Sequence, residues 1–203
     1  MSELARALVD ELQGKMAFSD APNGLFLCAD DPNQLKEFLR SDLRVELLDR
    51  RICAIYVSLR EHENKNPASV LATAVLEKSE EKCKDDMRRR TQAPSEIEVN
   101  RAGSRALSMD PLVDISLTRV LKFALSQVGS QIALIIDDAE NFLSTDEGKS
   151  TLFALKSARD QLNTPSQSNL LLIFSGCDEE RLSGVLQSPS APFYGSWIRR
   201  VLE

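Results

Sequence analysis

The chain has 203 residues, 42% of them apolar and 28% charged, a mix that supports a buried core and excludes wholesale disorder. Lys and Arg number 25 against 31 Asp and Glu, a net charge of −6, so the global field has the wrong sign for a dedicated nucleic-acid binder. The longest apolar runs, Ile132 to Ile136 and Leu170 to Phe174, fall far short of the ~20 residues that span a bilayer.

In chain order, Leu4, Leu8 and Leu12 recur at helical spacing and predict a helix over residues 2–14. Gly24 to Cys28 is a short continuous apolar run, the mark of a strand covered on both faces. From Asn33 the period becomes helical, with Leu35, Phe38, Leu39, Leu43 and Leu47 on one face. Ile52 to Ser58 reads as a second buried strand, and Pro67 to about Arg90 as a second long helix. Residues 91–110 are rich in Pro, Ser, Asn and Gly and read as a mobile insertion, with a small edge strand where Ser95 to Val99 alternates. From Pro111, Val113, Leu117, Val120, Leu121, Ala124 and Val128 make a helical stripe ended by Gly129. Ile132 to Asp137 is a third strand, 149–162 a helix, and Leu170 to Ser175 a fourth strand. Buried strands alternating with helices specify an α/β fold, a parallel sheet with helices on both faces. One domain over residues 1–203 is expected.

The targeting signals are spare. Met1-Ser-Glu-Leu-Ala-Arg6 carries no apolar core of a secretory signal. Cys28, Cys53, Cys83 and Cys177 form no C-x-x-C pair, and Cys28 and Cys53 sit in apolar stretches that suit buried, reduced thiols. The expectation is a cytoplasmic protein without a membrane partner.

Chemistry concentrates where strands end. Ile132-Ala-Leu-Ile-Ile-Asp137-Asp138-Ala-Glu140 delivers two acids at the carboxyl end of a buried strand, a Walker B arrangement. In such a site Asp137 holds a water of Mg²⁺ and Asp138 polarises the water that attacks the γ-phosphate. The same residues also fit an acidic loop that caps the next helix. The fourth strand ends in Ser175-Gly176, where additional-strand ATPases place a polar sensor of the γ-phosphate; Ser-Gly at a strand end is equally ordinary punctuation. A phosphate-binding loop should follow the first strand, and the residues there are Ala29, Asp30, Asp31, Pro32, Asn33, Gln34, Leu35 and Lys36. Ala29 and Gln34 take the glycine places, Leu35 the lysine place and Lys36 the hydroxyl place of G-x-x-x-x-G-K-[ST]. Asp30 and Asp31 bring negative charge to where phosphates belong, and Pro32 lacks an amide donor.

These segments resemble a family of bacterial AAA-type P-loop ATPases. The resemblance is carried by Phe38-Leu39, Ile55-Tyr-Val-Ser-Leu59, Ile135-Ile-Asp-Asp-Ala-Glu140, Phe153-Ala-Leu-Lys-Ser-Ala-Arg-Asp-Gln-Leu-Asn163, Ser175-Gly-Cys177 and Ala191-Pro-Phe-Tyr-Gly-Ser196. It implies a P-loop NTPase fold of AAA type, with the 132–137 strand between the second and fourth and the first strand beside the fourth. The departures from the family are a lost phosphate loop, Asp138 for the Walker B Glu, and Glu140 for a Gln. Family members also continue past the matching region, which leaves open a truncated chain ending in a cloning scar at Leu202-Glu203.

The leading expectation is therefore a degenerate P-loop protein, a pseudo-ATPase without a cofactor that acts as a binding or regulatory module beside a protein partner such as an intact ATPase relative. The alternative is a weak Mg-ATP-dependent ATPase in which Lys36 swings back and Asp137 holds Mg²⁺. A third reading, DNA association through Arg88 to Arg90 and the 91–110 loop, is disfavoured by net charge. His62 reads as a surface histidine, Arg199 and Arg200 as surface charges, and Phe193, Tyr194 and Trp197 as an aromatic packing corner.

Overall fold

The computed structural model describes residues 2–14, 24–91 (of 83–91 the backbone alone), 116–164, 167–187 and 189–202. The expected insertion beyond Thr91, its Ser95 to Val99 strand, the Val113 turn of the third helix and the side chains of Arg88 to Arg90 lie outside what is described. Helix α1 (Glu3–Leu12) precedes β1 (Leu25–Cys28), and α2 (Pro32–Phe38) runs through a π turn (Leu39–Leu43) into α3 (Arg44–Asp49). Next come β2 (Cys53–Ser58), a 3₁₀ turn (Arg60–His62), α4 (Pro67–Thr91), α5 (Leu117–Val128) and β3 (Ile132–Asp137). A 3₁₀ segment (Ala139–Ser144), α6 (Asp146–Leu162), β4 (Leu170–Gly176), α7 (Glu179–Ser183) and β5 (Ile198–Arg200) complete the order.

The five strands form one sheet in the order β2-β3-β4-β1-β5, and every pairing is parallel. The 132–137 strand lies between the second and fourth and the first lies beside the fourth, as expected. Strands β1 and β3 are buried along their whole length, which is why they read as unbroken apolar runs rather than alternating ones. Alternate residues feed two cores. Leu27, Ile135 and Ile173 meet α1 and the α2–α3 arm on one face, through Leu8, Leu39 and Leu43. Ile136, Leu172 and Phe174 meet α4 to α7 on the other, through Leu71, Leu121 and Leu155. Gly129 ends α5 at φ +62, a left-handed turn that suits glycine. No helix among the described residues is long and apolar enough to cross a membrane.

Two expectations change. Arg200 is exposed, as expected of a surface charge, but Arg199 is half-buried, and both belong to the edge strand β5 and are ion-paired. Arg199 pairs with the buried Glu11 of α1 at 2.6 Å, while Arg200 pairs with Glu179 of α7 at 2.7 Å and Asp30 at 3.5 Å. Successive residues of a strand point to opposite faces, so the two arginines pin β5 to a helix on each side of the sheet. The aromatic corner also divides. Phe193 is fully buried and packs edge-on to Phe26 and Phe174, whose rings stack at 4.6 Å, whereas Tyr194 and Trp197 are exposed.

Candidate functional site

Parallel register brings the strand ends together at one rim. Ser58 pairs with Asp137, and Ile136 pairs with Phe174, so Asp137 stands between Ser58 and Ser175. One carboxylate oxygen of Asp137, Oδ1, accepts from the Ser175 hydroxyl at 2.8 Å and from the Asp138 amide at 3.1 Å. The other, Oδ2, accepts from the Tyr56 hydroxyl at 2.6 Å. Burial and that bond to Asp137 push the Tyr56 hydroxyl well above its ordinary pKa, so it stays a donor.

Asp138 turns the chain at φ +57, a left-handed conformation that Asp tolerates better than most residues. Its Oδ2 accepts from the Ser58 hydroxyl at 2.9 Å, and its Oδ1 meets the Arg60 guanidinium at 3.2 Å. Glu140 is buried and one of its oxygens, Oε2, has no hydrogen-bond partner among the described residues. Desolvation raises its pKa, with Asp138 adding to the rise. That oxygen sits 2.1 Å from where a Cβ on Gly176 would be, so a side chain at 176 would have to displace it.

Around this rim, Arg40 from the π turn lies 4.4 Å over the Tyr56 ring and pairs with Glu61 at 3.3 Å. Lys36 also reaches Glu61, at 2.8 Å. The Lys36 hydrogen bond holds the Glu61 carboxyl below its usual range. A shallow cleft of about 410 Å³ opens beside Arg40, Tyr56, Ser58 and His62, bounded by Thr73 of α4. His62 lines it half-buried. Burial raises the thiol of Cys28, and that of Cys177 to about 11, which keeps both protonated and poor nucleophiles.

At the first strand, only Ala29, Asp30 and Asp31 separate β1 from α2. Asp31 caps the helix. Its Oδ1 accepts from the amides of Asn33 at 2.8 Å and Gln34 at 3.4 Å, and Pro32 takes the first helical position. Leu35 is buried in the core, whereas Lys36 turns to Glu61.

Of the residues singled out from sequence, the structure joins Asp137 to Ser175 and places residues 29–36 as a capped helix start. It adds Tyr56, Ser58 and Arg60, which the sequence reading passed over. The signal was there, since two hydroxyls stand at alternate positions near the end of an otherwise apolar strand and a cation follows two residues later, in the turn that leaves it.

No family model matches the chain, and no curated protein matches it in sequence. Solved structures do. A Walker-type ATPase of Pyrococcus abyssi superposes with a TM-score of 0.56 at 16% identity, over 98% of this chain and 52% of that one. The ORC2 protein of Aeropyrum pernix gives 0.54 at 12% identity, over 98% and 45%. The ORC1 protein of Aeropyrum pernix in complex with DNA gives 0.52 at 14% identity, over 97% and 42%. The present chain thus spans about half the length of these proteins. At such identities the likeness speaks for the fold, and with the all-parallel sheet and its strand order it identifies this chain as an α/β protein of the P-loop NTPase fold.

Proposed function

We propose that this P-loop NTPase-fold chain is a pseudo-ATPase, a degenerate member of the bacterial AAA-type class it resembles, working as a binding or regulatory module rather than turning over nucleotide. One observation carries this. The Asp31 carboxylate already accepts from the first free amides of α2, where the fold's phosphates would be bound.

Mg-ATP does not fit this rim. A polyanion would meet Asp30 and Asp31 with no glycine loop to wrap it. Lys36 is engaged by Glu61, and the Asp137 oxygens accept from three donors of the chain itself. Each missing charge-assisted contact removes about 1.5–3 kcal/mol. Two or three such losses weaken a micromolar affinity by several decades.

The partner of such a module would be a protein, in the first instance an intact ATPase relative. The ORC1 neighbour is in complex with DNA, yet Lys36, Arg40, Arg60, Arg199 and Arg200 are each ion-paired within this chain. Together with the net charge of −6, this favours protein over DNA. Free thiols at Cys28, Cys53 and Cys177 suit a cytoplasmic setting.

Calorimetric titration with Mg-ATP at ~100 μM protein, in the weak-binding regime, tests the reading. The expected result is no saturable heat. A low-micromolar dissociation constant that collapses in Asp137→Ala would overturn it in favour of a Mg-dependent ATPase.

A further inference from the structure

Asp137 and Asp138 are only 7% and 8% exposed, and carboxylates that deep need donors or cations. Among the described residues their side-chain partners, Ser175 apart, come from one short stretch, Tyr56, Ser58 and Arg60. These are alternate residues of β2 and its exit, and β2 runs parallel to β3 with Ser58 abreast of Asp137. The stretch has a second set of contacts. Arg40 of the π turn covers the Tyr56 ring, and both Arg40 and Lys36 pair with Glu61, one residue past Arg60. A continuous path of contacts therefore runs from the α2–α3 arm through Tyr56 to Asp137, and through Ser175 into β4.

We propose that this path is a built-in lock: β2 and its exit supply to the acidic pair the donors and positive charge that a hydrated metal ion would otherwise bring, and so tie the arm to β3 with no ligand bound. The proposal rests on the pseudo-ATPase reading, since a nucleotide-responsive rim would have to release the acidic pair to its ligand. Coupling between separated elements is carried by chains of packed side chains and hydrogen-bonded groups, and its proof is a change at one end that is read at the other. Among the described residues Tyr56 is the polar link between the arm and β3, beside the apolar core in which Leu39 and Leu43 of the arm meet Ile135.

Hydrogen–deuterium exchange on the full chain tests the lock, with Tyr56→Phe, which removes only the hydroxyl, and Arg40→Ala, an exposed site that folding tolerates. In Tyr56→Phe, exchange is expected to rise roughly 2- to 10-fold both at 132–138 and across the arm at 39–49. In Arg40→Ala it is expected to rise at 132–138, which Arg40 does not touch. No rise at 132–138 or none at 39–49 in Tyr56→Phe, or a rise confined to the arm and Tyr56 in Arg40→Ala, overturns the lock. If Tyr56→Phe fails to fold, Arg40→Ala decides alone. The wild type with millimolar Mg-ATP separates the two claims. Protection by Mg-ATP overturns the pseudo-ATPase reading, whereas an unresponsive wild type with purely local variant effects overturns the lock alone.

Discussion

At the carboxyl rim of the sheet, β1 and β3 both run into acidic pairs, Asp30-Asp31 and Asp137-Asp138, and the two pairs are stabilised by different physics. The first is wet, and its helix cap is local. Asp31 bonds amides two and three residues ahead, and Asp30 meets Arg200 in solvent. The second is long-range and dry, with partners 38 to 81 residues away in sequence and almost no exposure. A local cap forms with its helix and contributes little beyond it. A buried carboxylate held from two neighbouring strands is costly to disturb, because each partner removed leaves another polar group stranded.

That contrast is broken most directly at Asp137. Asp137→Ala removes the acceptor of Tyr56 and Ser175 together, leaving the buried Ser175 hydroxyl only a long contact to the Ile136 carbonyl. A loss of about 2–4 kcal/mol is expected in urea denaturation without any nucleotide present. If the residue served only to hold a metal, the apo chain would lose nothing.

The same contrast marks what could be read in advance. Asp137 and Ser175 were legible because buried parallel strands are apolar runs whose polar ends stand out. Their joining to Tyr56 was not, since register between β2 and β3 is set by packing over a gap of eighty residues. Strand β5 left no trace, as three residues of which two are Arg show no period. The arm was legible as one helix but its π turn was not, although Leu35, Leu39, Leu43 and Leu47 recur every fourth residue and all are fully buried. At 3.6 residues per turn a strict four-residue spacing drifts by ~40° each step. The wider turn at 39–43 restores the stripe to the core.

Glu140 sharpens the dry side. Its folded pKa is raised by burial. Its favourable state is therefore complete below the unfolded value and is lost as pH rises through the folded one. Stability of the wild type should fall over that window. Glu140→Gln should flatten the fall and gain roughly 1 kcal/mol above it, since a neutral amide replaces a charge with an unpartnered buried oxygen. An unchanged pH profile in thermal melts would remove Glu140 from the account. On the wet side, Asp31→Ala should cost about 1 kcal/mol through loss of the cap, and Asp31→Asn almost nothing, as asparagine caps equally well. Denaturant midpoints of the two variants check this.

The smallest effect belongs to Glu61, which ties the wet rim to the arm. Its carboxyl lies below its usual range, chiefly through the Lys36 hydrogen bond and against some desolvation. A depressed carboxyl stabilises above its unfolded pKa, and the contribution disappears as pH falls through the folded value. The side chains of Glu61, Lys36 and Arg40 are 51%, 35% and 47% exposed. Solvent screens both pairs, so Glu61→Gln should cost only a few tenths of a kcal/mol at pH 7. The cost should vanish in the acid arm of the profile and shrink further at molar salt, where the Debye length falls to ~3 Å. Stability measured across pH at low and high salt separates this from a packing role. A loss in Glu61→Gln that persists at low pH and molar salt would mean that Glu61 holds the arm by shape rather than charge. The lock would then begin at the Arg40–Tyr56 stack alone.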